Sequence, residues 1–202
     1  MINLINQAIL RIPESYYSVT NPADRNGRPT AYTRGRTQPE RNFVTQLCTQ
    51  LYPKLTEPYS LQLDTEIYKS INEPVFRDAK YLDSISTILQ NQIGLYPDLI
   101  YHRGQYDTHP ENQVFALGCK INSWLSQEQF NKDLIKVMMY KHELNFQTVV
   151  FLIANNNITK IEEFTKVYES QYYINRDHLY IIVVEKYGSV PACLIHGQGN
   201  RK

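Results

Sequence analysis

Two apolar runs carry the charged residues best placed for chemistry. "LYPDLIYH" (95–102) holds Asp98, and "QVFALGCKI" (113–121) holds Lys120. Residues two apart on a strand share a face. Val114, Ala116, Gly118 and Lys120 therefore point one way, and Phe115, Leu117, Cys119 and Ile121 the other. The stretch between the runs, "RGQYDTHPEN", has the composition of a hairpin turn. A hairpin centred on His109 places Asp98 and Lys120, each 11 residues away, at the same end of adjacent strands. An ammonium ending an apolar run needs a negative partner. An acid and a lysine held together can bind a hard divalent ion and face a phosphate, the chemistry of phosphodiester hydrolysis. Gly118 is the odd member, leaving a gap in the strand face that carries the lysine.

The surrounding elements must hold that pair in place. "NLINQAILRI" predicts a short helix that Pro13 ends. "PERNFVTQLCTQLYPKL" sets Phe43, Val44, Leu47, Cys48 and Leu51 on one helical stripe, with Pro39 and Glu40 in the first turn and Pro53 at the end. "YSLQLDTEIYKSI" alternates as a strand, with Leu61, Leu63 and Thr65 on one side and Asp64 and Glu66 on the other. "YLDSISTILQNQI" has helical amphipathicity. After the lysine strand, "SQEQFNKDLIKVMMYKHEL" predicts a helix capped by Ser126, with Glu128 and Gln129 in its first turn and Phe130, Leu134, Val137, Met138 and Leu144 on its apolar side. "FQTVVFLIAN" predicts a buried strand, "ITKIEEFTKVYESQ" a helix, "HLYIIVVEKY" a strand and "VPACLIHG" a last strand. Apolar strands alternating with helices predict an α/β fold whose mixed sheet is covered on both faces.

Composition narrows the function classes. The chain has 202 residues and a formal net charge of +1, so a globally basic nucleic-acid binder is excluded and any such role rests on local patches. One patch is "NPADRNGRPTAYTRGRTQPE" (21–40), rich in turn residues and carrying Arg25, Arg28, Arg34 and Arg36. It reads as a solvated loop or as an arm that meets phosphates. The three cysteines, Cys48, Cys119 and Cys193, show no zinc or disulfide spacing, which fits a reducing interior. No signal peptide or membrane-length apolar run is present, so a cytoplasmic protein without a membrane partner is expected. The 16 tyrosines suit half-buried strands and, less often, base stacking. The five histidines are scattered and suggest no ligand set.

The order of these features resembles the PD-(D/E)xK nuclease superfamily. The "PD" is Pro97–Asp98, "(D/E)xK" falls on Gly118-Cys119-Lys120, the acidic first helix contributes Glu40, and "LDTEIYKSIN" resembles the acidic strand before the core. The similarity runs from about residue 38 to 155. It implies a restriction-endonuclease-like mixed β-sheet core flanked by helices on both faces, in one domain over 39–198 behind an N-terminal segment, 1–38, that carries the arginine arm. It further implies Asp98, Lys120 and Glu40 as catalytic residues, with Mg²⁺ or Mn²⁺ held by Asp98, Glu40 and the Cys119 backbone carbonyl. DNA is the implied substrate, and a homodimer is one arrangement that cuts both strands.

The departure from the family pattern is Gly118, which supplies no carboxylate where a metal ligand is expected. Two outcomes follow: a nuclease with a weakened metal site, in which Asp64, Glu66 or another acid stands in, or an inactive member serving as a nucleic-acid-binding or protein-interaction domain. An α/β interaction domain unrelated to nucleic acid is a third reading. Each residue also has an ordinary role. A strand-start aspartate can bond backbone amides, a lysine can extend off a strand end, and a glutamate in a first helical turn complements the macrodipole.

Overall fold

A computed structural model of the chain describes residues 1–17, 39–55, 61–65, 69–70, 94–104, 109–171 and 176–195. Among these residues the helices are α1 (Ile2–Ile9), α2 (Pro39–Leu51), α3 (Gln127–His142) and α4 (Ile158–Gln171). The strands are β1 (Gln62–Thr65), β2 (Lys69–Ser70), β3 (Gly94–Leu95), β4 (Leu99–His102), β5 (Gln113–Lys120), β6 (Thr148–Ala154), β7 (Leu179–Val184) and β8 (Ala192–Ile195). Six strands form one mixed sheet in the order β1-β4-β5-β6-β7-β8. β1, β4 and β5 run as an antiparallel meander, β5, β6 and β7 are parallel, and β8 returns antiparallel. The crossovers between the parallel strands are α3 and α4, as parallel pairing requires. The arginines of the basic arm (25, 28, 34 and 36), Glu66 and the helical stretch expected near 81–93 lie outside the described residues.

The sheet is covered on both faces, which explains why β6 reads as an unbroken apolar run. Val149, Phe151 and Ile153 pack with α3 and α4 through Phe130, Leu134, Val137, Ile161 and Tyr168. Val150, Leu152 and Ala154 face the opposite layer, built from Ile5 and Ile9 of α1 and Phe43, Leu47 and Leu51 of α2. β5 splits the same way. Phe115, Leu117, Cys119 and Ile121 belong to the α1/α2 layer, and Ala116 to the α3/α4 layer.

Two expectations change. The strand expected across "YSLQLDTEIYKSI" is divided: β1 stops at Thr65, and Lys69–Ser70 pairs with Gly94–Leu95 in a separate two-stranded sheet. The reason is the length of the partner. β1 pairs residue for residue with β4 from Gln62↔His102 to Thr65↔Leu99, and β4 begins at Leu99, two residues after a proline that has no N–H to donate. The second change is register. β4 and β5 pair Leu99↔Leu117, Ile100↔Ala116 and Tyr101↔Phe115, with an irregularity between Tyr101 and His102. Continued by one residue, that register sets Asp98 beside Gly118, not beside Lys120. A slip of two residues preserves which face each side chain takes, so the acid and the lysine still share one side of the sheet.

Candidate functional site

Asp98 grips β5 where β4 has run out. Its backbone N–H donates to the Leu117 carbonyl at 2.9 Å, and its Oδ2 accepts the Cys119 N–H at 2.7 Å. The carboxylate thus takes the place of a missing strand carbonyl, and Gly118 is bracketed between the two bonds. A strand-start aspartate bonded to a backbone amide is the ordinary structural role open to this residue, and Asp98 fills it. It also lines a cavity of about 90 Å³ together with Tyr96, Gly118, Lys120, Asp133 and Tyr140. Tyr140 Oη donates to the Tyr96 carbonyl at 3.2 Å, tying the segment that carries Asp98 to α3.

Lys120 ends β5 and turns toward two carboxylates. Its Nζ donates to Glu40 Oε2 at 3.0 Å and lies 3.7 Å from Asp133 Oδ2. Glu40 comes from the first turn of α2, which packs on the other face of the sheet, so it reaches the lysine around the strand end. The structure therefore brings Lys120 together with Glu40, and Asp98 lies close enough to act on the same lysine electrostatically. Cys119 takes part only through its backbone, because its thiol is buried in the α1/α2 layer.

Asp133 was not anticipated from the sequence. It lies on α3 one turn before Val137 and two turns before Tyr140, and the three form a stripe facing Gly118 and Lys120. Spacings of four and seven put residues on one helical side. An acid in register with a buried valine was the available signal, and it was passed over because only the apolar members of the stripe were counted.

The same stripe explains Gly118. A Cβ at that position would stand 2.8 Å from Val137 Cγ2, closer than real contacts allow, and 4.0 Å from Asp98 Oδ2. Val137 is β-branched and stiff at χ1, so it cannot swing away cheaply. The glycine is therefore required by the close approach of α3 to β5. The space an acid at 118 would need is taken by Val137, and the neighbouring carboxylate comes from Asp133 on the same helix.

Asp98, Glu40 and Asp133 meet Lys120 in a part-buried place, and Lys136 lies 3.9 Å from Asp133 Oδ1, so three carboxylates face two ammonium groups. The Asp98 pKa is raised to about 6: burial is the main cause, the Cys119 N–H and Lys120 oppose it, and Glu40 and Asp133 add to the rise. Asp133 is also raised by burial, against the pull of Lys120 and Lys136. For Lys120, burial works against the ammonium, yet Asp133, Glu40 and Asp98 outweigh it and its pKa rises. An under-neutralised set of carboxylates is what a cation relieves. Among the described residues, however, no three His, Cys, Asp or Glu side chains cluster closely enough to hold a metal ion by themselves.

A second acid–base pair lies on the same sheet face. His102 is fully buried, with Nε2 2.9 Å from Asp64 Oδ2 and Nδ1 2.8 Å from the Gly104 carbonyl. Asp64 is thereby committed to His102. No described helix is long and apolar enough to cross a membrane. Comparisons with protein-family models, curated proteins and solved structures gave no match for this chain.

Proposed function

We propose that this protein is a restriction-endonuclease-like, magnesium- or manganese-dependent nuclease whose second acid comes from Asp133 on α3 instead of from position 118. The observation that carries this reading is the convergence of Asp98, Asp133 and Glu40 on Lys120 at the end of β5, beside a cavity that Asp98 and Asp133 both line. The element order supports it: an acid-bearing helix, a meander whose second strand follows Pro97–Asp98 and whose third ends in the lysine, then a helix and a parallel strand. DNA is the proposed substrate, with a homodimer where both strands are cut.

Asp98 and Asp133 would hold the ion, with the Cys119 carbonyl as a further oxygen. When bound, the ion polarises a phosphate oxygen and lowers the pKa of a coordinated water. The chain's own residues do the rest. Lys120 places a fixed positive charge where negative charge builds on the phosphate, and Glu40 orients that ammonium. Tyr140 fixes the Tyr96–Asp98 segment against α3.

Cleavage of plasmid and oligonucleotide DNA in Mg²⁺ or Mn²⁺ tests the reading, run beside Asp98→Asn, Asp133→Asn and Lys120→Met. Metal-dependent cleavage lost in all three variants is the expected result. An inert wild type, or undiminished cleavage by Asp98→Asn, overturns it. A second reading has its own observation: Asp98, Glu40 and Asp133 each already engage an internal partner, as in a fold that kept its site for stability and acts by binding. That reading predicts nucleic-acid affinity that falls with salt and ignores metal.

A further inference from the structure

The chain has one tryptophan, Trp124, and it is 78% exposed. A single exposed apolar side chain needs no explanation alone; the setting of this one does. Trp124 lies four residues past Lys120, in the turn from β5 to α3, between Asn122 and Leu125. Asn122 and Leu125 line a second cavity, of about 310 Å³, whose wall does not include Trp124 itself and which adjoins the first through Lys120, Asp133 and Lys136.

The turn is pinned from several sides. Asn122 Oδ1 accepts the Trp124 N–H at 2.8 Å, and Asn156 Nδ2 donates to the Asn122 carbonyl at 2.6 Å. Leu125 is buried, and Ser126 and Gln129 close a reciprocal cap on α3. The indole is thus displayed on an ordered segment, so a ligand that stacks on it meets little ordering cost.

The wall of the cavity points to a nucleotide. Lys132 and Lys136 stand one turn apart on α3, with Lys120 deeper; three ammonium groups face the two carboxylates of Glu40 and Asp133, a balance of +1. The volume sits at the small end of ligand sites, which run from about 300 Å³ upward. That is room on the order of one nucleotide. An exposed aromatic one residue from the wall of a lysine-bearing cavity suits capture of unpaired bases, because a paired base already has its faces covered by its neighbours.

We infer that the substrate presents an unpaired nucleotide beside the scissile phosphate, with its base stacked on Trp124 and its phosphate between Lys132 and Lys136. The inference rests on the phosphodiester reading of the Asp98–Lys120 site and assigns that site a single-stranded or frayed substrate.

The lone tryptophan makes the test direct. Emission of the full-length Asp98→Asn protein, excited at the red edge of the indole band, is followed in metal-free, low-salt buffer against oligothymidylate, oligouridylate and a blunt duplex of equal length. Quenching by a single strand and not by the duplex is expected. In anisotropy with labelled oligonucleotide, Trp124→Ala weakens single-strand binding about 5- to 150-fold, the loss of one base stack, and Trp124→Phe restores most of it. Lys132→Gln with Lys136→Gln lowers the salt dependence of binding. Absence of quenching, equal quenching by the duplex, or unchanged affinity in Trp124→Ala overturns the inference. These readouts require no cleavage. Single-strand binding by a protein that cuts nothing would leave the nucleotide site standing and remove the hydrolytic reading, whereas cleavage of duplex without quenching would do the reverse.

Discussion

The sheet face that meets α3 carries two acid–base groupings, and they differ in closure. Asp64 and His102 form a finished pair: the ring is fully buried and both its nitrogens have partners. Asp98, Glu40, Asp133 and Lys120 form an unfinished one, with three carboxylates shared between Lys120 and Lys136 and two cavities opening beside them. Acids and bases in contact are common to both. What separates a site from a structural pair here is residual charge together with room for a ligand.

The largest effect expected from that difference is on catalysis. On the proposed nuclease reading, Lys120→Met removes the cation proposed to face the phosphate and lowers metal-dependent cleavage by about 10²–10³-fold, while Asp64→Ala leaves that rate in the folded protein unchanged. Single-turnover cleavage of an oligonucleotide measures both. A comparable loss in Asp64→Ala would erase the distinction between the groupings.

The pH dependence of stability comes next. The Asp98 pKa is raised from 3.8 to about 6. Between those values the folded state holds more protons than the unfolded state, so stability falls as pH rises through the window and levels off above it. Without metal this contribution amounts to roughly 2–3 kcal/mol. Asp98→Asn, whose side-chain oxygen can still accept the Cys119 N–H, flattens the slope. Urea denaturation at a series of pH values in chelator shows whether it does. The closed pair answers in stability at fixed pH: Asp64→Ala leaves a ring nitrogen of a fully buried histidine without its partner and costs about 1–3 kcal/mol, read from the denaturation midpoint.

The smallest effect probes the packing that shapes the open grouping. Gly118→Ala drives a methyl into Val137 and destabilises the protein by about 1 kcal/mol or somewhat more. Combined with Val137→Ala, the total cost is smaller than the sum of the single costs, and a double-mutant cycle measures the coupling. Strict additivity would mean that Val137 is not what keeps position 118 bare.

The sequence carried most of the elements but not the distances between them. Helix α4 coincides with the stretch read from periodicity, and the Ser126–Gln129 cap of α3 was visible as a local pattern. The division of β5 between two apolar layers followed from alternation from Phe115 onward, but Val114, expected on the face of Ala116, packs with the α1/α2 layer beside the register irregularity. Register was another matter. The β4–β5 pairing is displaced by two residues, with an irregularity at Tyr101/His102, and nothing in a polar turn's composition fixes its centre that closely. The site was legible in the same uneven way. Asp98 and Lys120 stood out as charges in apolar runs, Glu40 entered as the first-helix acid that the resemblance implied, and Glu40 does reach Lys120. Asp133 hid among the charges of an amphipathic helix, since its role depends on how closely α3 seats on β5. The reason for Gly118 is non-local too. Along the chain it looks like an absence, and only the Val137 methyl 19 residues away makes it a requirement.

That requirement has an evolutionary side. An acid at 118 cannot be gained in one step without overlapping Val137, and trimming Val137 first leaves a hole beneath a bare strand. Both orders pass through a less stable protein. Asp133, by contrast, is one substitution on an already placed helix. The close seating of α3 on β5 therefore does more than fill space. It closes the short mutational route to an acid on the strand.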